Sequence, residues 1–309
     1  MTAGTLVITG ANGFVGTHLA EIASQQGVDV WAIGREPAPD LLLQENCAKY
    51  FSMDLEKEWK MPVGADAVVH LAGLSAVGPS FAHPQRYLTG NSAIMTTMCE
   101  GLLAHSERPR VVVVSSGAVY GAPEGGTPVA ETSATAPSSP YAVAKLLVES
   151  QATYYGGRGL DTVIARPFNH IGPRQGTGFL VPDLTAALRD SRPGETLAVG
   201  DLGTARDYTD VRDVARAYLA LAFAAEHHYD RYNVCSGEAH SGREVLAVLA
   251  EALDRPVPPT EMDPARLRPA DPPVIVGAAD RLRQEYGWEP KIPWQQSVRD
   301  FINAEVSAQ

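Results

Sequence analysis

Three polar residues in the middle of the chain could together move a proton. Ser116 follows an apolar run, and Tyr141 and Lys145 stand four residues apart in a stretch with helical spacing. Residues four apart share one face of a helix. A neighbouring ammonium would lower the pKa of a phenol from its ordinary value of about 10. We therefore predict that Tyr141 exchanges a proton with an oxygen atom, tuned by Lys145 and assisted by a hydrogen bond from Ser116.

A glycine-rich segment at residues 9–16 has the form of a phosphate-binding turn between a strand and a helix. The first glycine permits a tight turn, the second lets the backbone approach a pyrophosphate, and the third lets the helix pack closely. The helix N-terminus adds N–H groups and a partial positive charge. The spacing is GxxGxxG, and it predicts a dinucleotide site. The cofactor-binding residues expected here are Gly10, Asn12, Gly13, Phe14, Val15 and Gly16.

The ends of the second and third predicted strands bear on the choice of dinucleotide. An acidic residue commonly ends the second strand in NAD sites, whereas this chain has Arg35. A guanidinium suits the 2′-phosphate of NADP, because it binds phosphate oxygens in pairs. We expect NADP(H) to be preferred and NAD(H) to be possible. The alternative for Arg35 is an ordinary surface arginine. Asp54 and Leu55 are expected beside the adenine, and the alternative for Asp54 is a helix-capping role.

The elements that must position these residues alternate along the first half of the chain. Strand–helix repetition of this kind predicts a doubly wound parallel sheet of the Rossmann type, an α/β fold. After residue 167 proline and glycine become denser. We expect residues 1–167 to bind NADP and residues 168–309 to form a smaller α+β substrate-binding lobe, with some chain returning to the sheet. The expected strands lie at 5–9, 28–33, 67–71, 110–115 and 162–166, and the expected helices at 14–25, 87–105 and 141–155.

Composition limits the classes of partner. The 309 residues include 25 Lys plus Arg and 36 Asp plus Glu, a formal net charge of −11. Nucleic acids and anionic membranes need basic patches, so neither is expected as a partner. The three cysteines are widely spaced, which predicts neither disulfides nor a metal site. The N-terminus does not resemble a signal peptide, and no apolar stretch is long enough to span a membrane, so we expect a cytoplasmic protein.

These motifs resemble the extended short-chain dehydrogenase/reductase family, which includes NAD-dependent epimerases and dehydratases. The resemblance covers essentially the whole chain. It includes the sequences HLAG at 70–73, RDYTDVRDV at 206–214 and YNVCSG at 232–237. More narrowly, RPFNHIGPRQ at 166–175 and LRPADPP at 267–273 are similar to GDP-4-keto-6-deoxy-D-mannose reductases.

The resemblance implies an NADPH-dependent enzyme that reduces the C4 ketone of a nucleotide-linked 4-keto-6-deoxyhexose. GDP would be the favoured nucleotide, and GDP-D-rhamnose or its C4 epimer would be the product. Tyr141 would be the general acid, Lys145 its tuner and ribose anchor, and Ser116 the oxyanion donor. Leu71, Ala72 and Gly73 would contact the cofactor. The implied substrate-binding residues are Ser75, Ser116, Asn169, Arg174, Val181, Arg206 and Arg268.

Two other functions remain open. Gly117 and Ala118 stand where 4,6-dehydratases carry Asp-Glu and where related reductases often carry a glutamate at the second position. This small pair resembles the 4-epimerases, so a nucleotide-sugar 4-epimerase with tightly bound NAD is one alternative. A non-catalytic dinucleotide-binding sensor is an alternative of another class. The family commonly pairs through two helices, which predicts a homodimer through the helices at 87–105 and 141–155.

Overall fold

The computed structural model describes residues 4–121, 126–192, 194–267 and 272–307. The strands are β1 (Thr5–Thr9), β2 (Asp29–Gly34), β3 (Lys49–Ser52), β4 (Ala67–His70), β5 (Arg110–Val114), β6 (Thr162–Pro167), β7 (Asn169–Ile171), β8 (Leu197–Val199), β9 (Ala205–Asp210), β10 (Arg231–Val234), β11 (Ala239–Ser241), β12 (Thr260–Met262) and β13 (Val274–Ile275). The helices are α1 (Phe14–Gln25), α2 (Leu41–Asn46), α3 (Val77–Ala82), α4 (Pro84–Leu103), α5 (Pro140–Gly157), α6 (Leu180–Asp190), α7 (Val211–Phe223), α8 (Gly242–Ala252), α9 (Asp280–Tyr286) and α10 (Trp294–Ser307).

One large sheet dominates the fold. Its seven strands lie in the order β10-β6-β5-β4-β1-β2-β3, and every neighbouring pair is parallel. The strand order reverses between β1 and β4. In sheets of this type, ligands bind outside the carboxyl ends of the strands beside such a reversal. The predicted Rossmann fold is confirmed, and this edge is where the site should lie.

Helices cover both faces of the large sheet, which explains its unbroken apolar strands. Val112 of β5 belongs to the core layer that contains residues of α1 and α7. Val111 and Val113 belong to the opposite layer, which contains residues of α4 and α5. Each apolar side chain on β5 therefore has a buried partner surface, whichever face it points to. Within the described ranges, no helix is both long and apolar enough to cross a membrane.

A smaller lobe follows β6. It contains a four-stranded sheet of β7, β9, β11 and β13 and a parallel pair of β8 and β12. Its own core includes Leu184 of α6, Leu246 of α8 and Phe301 of α10. The chain also returns to the large sheet, because α7 packs on α1 and β10 forms an outer strand beside β6. That residues 168–309 bind the substrate stays a prediction.

Some elements differ from the expectation. The third strand ends at Ser52, so Asp54 lies in the following turn, where its carboxylate accepts the N–H of Glu56 at 3.2 Å. The helices α2 and α3 have six residues each, too few to show a helical period. Helix α6 includes Pro182 in its first turn, where a helix needs no backbone N–H and proline, which has none, is tolerated. Helices α2 and α3 therefore carry no periodic signal, whereas α6 does carry one, with Val181, Leu184 and Leu188 on its buried face, and was not among the expected helices.

Candidate active site

A cleft of about 1200 Å³ extends along the carboxyl ends of the large sheet and towards the smaller lobe. The predicted site residues that the structure describes all line it, and Arg268 lies outside the described residues. The chain therefore brings into one cleft residues that are far apart in sequence. The lining includes Gly10, Asn12, Gly13, Phe14, Val15, Gly16, Arg35, Asp54, Leu55, Leu71, Ala72, Gly73, Ser75, Ser116, Tyr141, Lys145, Asn169, Arg174, Val181 and Arg206.

The glycine turn has the geometry that a dinucleotide requires. Gly10 adopts a φ of +69°, and a Cβ there would lie 2.9 Å from the backbone nitrogen of Ala72. A Cβ on Gly16 would lie 2.5 Å from the carbonyl oxygen of Ala11. Helix α1 starts after Gly13 with no side-chain cap, so its first N–H groups face the cleft without an intrahelical partner. This cradle fits a pyrophosphate.

The loop after β4 is fixed against this turn. The Ala72 N–H donates to Thr9 Oγ1 at 3.1 Å, and Thr9 Oγ1 lies 2.9 Å from Nδ1 of His70. Asn91 of α4 accepts the N–H of Leu74 at 2.7 Å. Burial lowers the pKa of His70 to about 3, so its ring is neutral at physiological pH. The predicted contacts at 71–73 therefore lie on a loop with a defined path.

At the other end of the expected cofactor site, Arg35 and Glu36 follow β2. Both line the cleft, and both are exposed. Asn12 donates to Glu36 at 2.9 Å and lies 3.1 Å from the Tyr50 hydroxyl. The hydrogen bond from Asn12 holds the pKa of Glu36 below its usual value. Glu36 was not among the expected site residues, although an acidic residue directly after Arg35 is visible in the sequence.

The expected proton-transfer group lies where β5 meets α5. Helix α5 begins at Pro140 and is capped by Ser139, whose hydroxyl accepts the N–H of Ala142 at 3.2 Å. Tyr141 and Lys145, on the first turns of α5, are both buried. The Lys145 ammonium donates to the carbonyl oxygen of Val114 at 2.8 Å and lies 5.9 Å from the centre of the Tyr141 ring.

The protonation of this group differs from the expected tuning by lysine. Burial raises the pKa of Tyr141, and a hydrogen bond with the Ser116 side chain opposes that rise. The Lys145 ammonium is directed to the Val114 carbonyl, and burial is the largest influence on the pKa of Tyr141. Burial also lowers the pKa of Lys145 to about 8, against the opposing charge of Glu149. At neutral pH the phenol therefore keeps its proton and the amine is mostly charged.

The expected substrate-binding residues lie on the far wall of the cleft. Asn169 is exposed at the start of β7, and Val181 is buried in the first turn of α6. Arg206 of β9 is 8% exposed and donates to the carbonyl oxygen of Ala205 at 2.8 Å. Arg174 donates to Glu21 of α1 at 3.0 Å. Two arginine side chains therefore border a space that is large enough for a diphosphate.

Two further cleft residues were not predicted. Tyr218 of α7 is fully buried, and its hydroxyl has no hydrogen-bond partner among the residues that the structure describes. The ring of Phe168 lies against Gly117, where a Cβ would come within 2.9 Å of it. The sequence pattern around Tyr218 indicates only that it lies on the buried face of a helix, and it does not indicate that Tyr218 borders the cleft. Phe168 lies within the quoted RPFN sequence, but its contact with Gly117 is a tertiary one.

Comparison with known proteins agrees with this geometry. Residues 6–235 match the NAD dependent epimerase/dehydratase family. The GDP-6-deoxy-D-mannose reductase of Pseudomonas aeruginosa is 35% identical over 303 residues, covering 96% of this chain and 96% of that protein.

Solved structures agree as well. The structure of RMD from Pseudomonas aeruginosa complexed with NADPH has a TM-score of 0.83 at 32% identity, covering 99% of this chain and 100% of that one. The UDP-glucose 4-epimerase of Thermus thermophilus complexed with NAD has a TM-score of 0.83 at 29% identity, with the same coverage of 99% and 100%. The chain therefore belongs to the NAD dependent epimerase/dehydratase family and is an oxidoreductase that depends on a nicotinamide dinucleotide.

Proposed function

We propose that this protein uses NADPH to reduce the C4 ketone of a nucleotide-linked 4-keto-6-deoxyhexose. The favoured substrate is GDP-4-keto-6-deoxy-D-mannose, and the product is GDP-D-rhamnose or its C4 epimer. The observation that carries the proposal is the convergence of Ser116, Tyr141 and Lys145 in a cleft that also holds the glycine turn. The similarity to the Pseudomonas aeruginosa GDP-6-deoxy-D-mannose reductase supports the choice of substrate.

The chain's own residues would manage the ketone oxygen. When bound, the reduced nicotinamide supplies a hydride to the carbonyl carbon. Ser116 donates a hydrogen bond to the oxygen, and Tyr141 transfers its proton to it. Because burial raises the pKa of Tyr141, the phenol is protonated and suited to act as an acid. Lys145, held by the Val114 carbonyl, places a positive charge beside the phenolate that remains.

The surroundings of Gly117 argue against a 4,6-dehydratase. Such enzymes need acidic side chains to eliminate water, and positions 117 and 118 carry none. A side chain at position 117 would collide with the ring of Phe168 at 2.9 Å. Ala118 packs beside the buried cluster of Tyr87 and Tyr141. The space that a carboxylate at position 117 would need is therefore filled by an aromatic ring, whereas Ala118 is half-buried at the cleft and supplies no acidic group.

Arg35 supports NADPH as the cofactor. Its guanidinium lies at the end of β2, exposed to the cleft, where it suits a 2′-phosphate. Glu36 is held by Asn12 at 2.9 Å, so its carboxylate already has a hydrogen-bond donor. Arg35 is the positively charged group at this strand end, and it is the one that would favour the dinucleotide with a 2′-phosphate.

The outer face of α5 supports a homodimer. Val143 and Leu147 are 42% and 39% exposed, and Tyr154 is 60% exposed. The spacing of four and seven residues places these side chains on one side of the helix. Helix α4 packs directly beside α5. We propose that a second copy of the chain covers this face.

The experiment that tests the function is a turnover assay with NADPH and GDP-, dTDP- and UDP-linked 4-keto-6-deoxy sugars. We expect stoichiometric oxidation of NADPH with the GDP sugar, and NMR of the product to give its C4 configuration. Tyr141→Phe should lower kcat by about 10² to 10⁴-fold while NADPH binding is retained. Tyr229→Phe, which alters an exposed phenol elsewhere, is the matched control. Full turnover by Tyr141→Phe, or no oxidation with any sugar, would contradict the proposal.

A nucleotide-sugar 4-epimerase is the second candidate, favoured by the small Gly117-Ala118 pair and by the similarity to the Thermus thermophilus UDP-glucose 4-epimerase. An epimerase would interconvert two nucleotide sugars without net consumption of cofactor. Incubation with UDP-glucose and NAD, followed by NMR of the sugar, distinguishes the two. Conversion to the C4 epimer, with no NADPH oxidation in the ketone assay, would favour the epimerase.

A further inference from the structure

Helix α5 contacts the end of β5 at three points that are one helical turn apart. Tyr141 is hydrogen-bonded to Ser116, Lys145 donates to the Val114 carbonyl, and Glu149 accepts the hydroxyl of Ser115 at 2.5 Å. We propose that Glu149, acting through Ser115, is a positioning residue that holds the strand end in register with Tyr141 and Lys145. This inference rests on the proposed function, because it assumes that Ser116, Tyr141 and Lys145 act on the substrate.

Glu149 is itself held rigidly. Arg166 of β6 donates to Oε1 of Glu149 at 2.8 Å and to Oε2 at 2.6 Å, and the two side chains are 1% and 7% exposed. Arg166 also donates to the Tyr120 hydroxyl at 2.8 Å, and that hydroxyl donates to Asn233 of β10 at 2.7 Å. The carboxylate is therefore fixed to two strands of the sheet as well as to its own helix.

The strand end needs this support. Strand β5 ends at Val114, and the last backbone bond to its neighbour runs from the N–H of Ser115 to the carbonyl of Ala165 at 2.8 Å. Ser116 then enters a 3-10 turn at Gly117–Tyr120. Beyond Ser115 the ladder of the sheet no longer holds the chain. Ser116 is held by the turn, where its hydroxyl accepts the N–H of Ala118 at 3.2 Å and its carbonyl accepts the N–H of Val119 at 3.3 Å, and the anchored side chain of Ser115 fixes where that turn begins. A functional hydroxyl is useful only when its supporting contacts hold it in place.

Several charged or titratable groups act on Glu149, Arg166, Lys145 or Tyr141, and the variants should leave them in place. They are His70 of β4, Tyr87 of α4, Tyr120 of the 3-10 turn, Arg166 of β6, Tyr218 of α7 and Arg231 of β10. Glu149→Gln would leave the Arg166 guanidinium buried without its counterion and could unfold the chain. Ser115→Ala is the sharper variant, because Arg166 still satisfies both carboxylate oxygens of Glu149.

The test compares ketone reduction and the titration of Tyr141 in wild type and Ser115→Ala. We expect kcat to fall by about tenfold to a hundredfold with little change in either KM, as a small displacement of a catalytic group produces. NMR of ¹³C-labelled tyrosine, assigned with Tyr141→Phe, should show a higher pKa for Tyr141. The reason is that the hydrogen bond from Ser116, which lowers that pKa, is loosened. Ser115→Thr keeps the hydroxyl and should restore both readouts.

Thr162→Val is the matched control. The Thr162 hydroxyl also joins a strand to α5, donating to the Ala152 carbonyl at 3.1 Å, but near the opposite end of that helix. It should change neither kcat nor the titration of Tyr141. If wild type reduces the ketone and Ser115→Ala behaves like wild type in both readouts, the inference is wrong. If wild type oxidises NADPH with no sugar of the panel, the proposed function fails, and the titration alone decides the inference.

Discussion

The guanidinium of Arg174 lies 2.8 Å from Nδ1 of His18, and this contact joins the loop after β7 to helix α1. Nε2 of His18 lies 2.9 Å from the carbonyl oxygen of Pro173. Because a guanidinium can only donate, Nδ1 accepts, and the ring proton must be on Nε2, directed to Pro173. The neutral imidazole therefore links the helix that begins at the glycine turn to a wall of the substrate cleft.

This neutral histidine predicts a loss of stability in acid. Burial lowers the pKa of His18 to about 4, whereas the unfolded chain has an ordinary histidine pKa of about 6.5. As the pH falls, the unfolded state takes up a proton first. The contribution of His18 is thus complete above pH 6.5 and is lost as the pH falls to about 4.

We expect the Tm of wild type to fall through that window and the Tm of His18→Gln to fall less steeply. Glutamine keeps an amide donor for Pro173 but does not titrate. Differential scanning calorimetry at pH values from 4 to 8 measures both slopes. Parallel slopes would show that another group, such as the buried His70, controls the acid response.

Cofactor selectivity should depend on Arg35. Arg35→Ala should raise the KM for NADPH by about tenfold to a hundredfold and leave the KM for NADH nearly unchanged, because only NADPH carries the 2′-phosphate. Arg35→Lys keeps the charge but loses the paired donors, so its KM for NADPH should lie between those of wild type and Arg35→Ala. Steady-state kinetics with both cofactors provide the measurement. Equal losses for NADPH and NADH would contradict this role.

Substitution of Gly16 should damage the cofactor cradle. The new Cβ of Gly16→Ala would lie 2.5 Å from the Ala11 carbonyl, so α1 must shift. We expect destabilisation by about 1–3 kcal/mol, as for other overpacked sites, and weaker dinucleotide binding. Gly157→Ala is the control, because it lies in α5 with nothing within 4 Å of its new Cβ. Chemical denaturation measures the free energy of unfolding of both variants, and cofactor titration measures their affinity for the dinucleotide. Equal stability and affinity in Gly16→Ala and Gly157→Ala would contradict this prediction.

The proposed homodimer predicts that a charge on the outer face of α5 separates the subunits. Leu147→Glu should give a monomer, because burial of an unpaired carboxylate in an apolar interface is costly. Leu41→Glu alters a leucine of α2 that is 80% exposed and should leave the dimer intact. Light scattering at micromolar concentration gives the mass of each. A monomeric wild type would reject the dimer.

The sequence supported the parts of this site that depend on local spacing. The glycine turn and the Tyr141–Lys145 pair could be located, since a turn and a helix face are set by neighbouring residues. The burial of Tyr141, which raises its pKa, depends on tertiary packing and could not be foreseen, so the expected direction of that pKa was wrong. The bonds of Glu149 to Ser115 and Arg166 join residues that only the packed sheet and helix bring together. The role of Arg268, outside the described residues, stays a prediction.

The ring of Phe168 lies between two glycines. A Cβ on Gly117 would come within 2.9 Å of it, and a Cβ on Gly277 within 2.7 Å. An acidic residue at position 117 would therefore require the ring of Phe168 to move or to be replaced by a smaller side chain. Because one ring packs against both glycines, positions 117, 168 and 277 are coupled, and a substitution at any of them changes what the other two can accommodate.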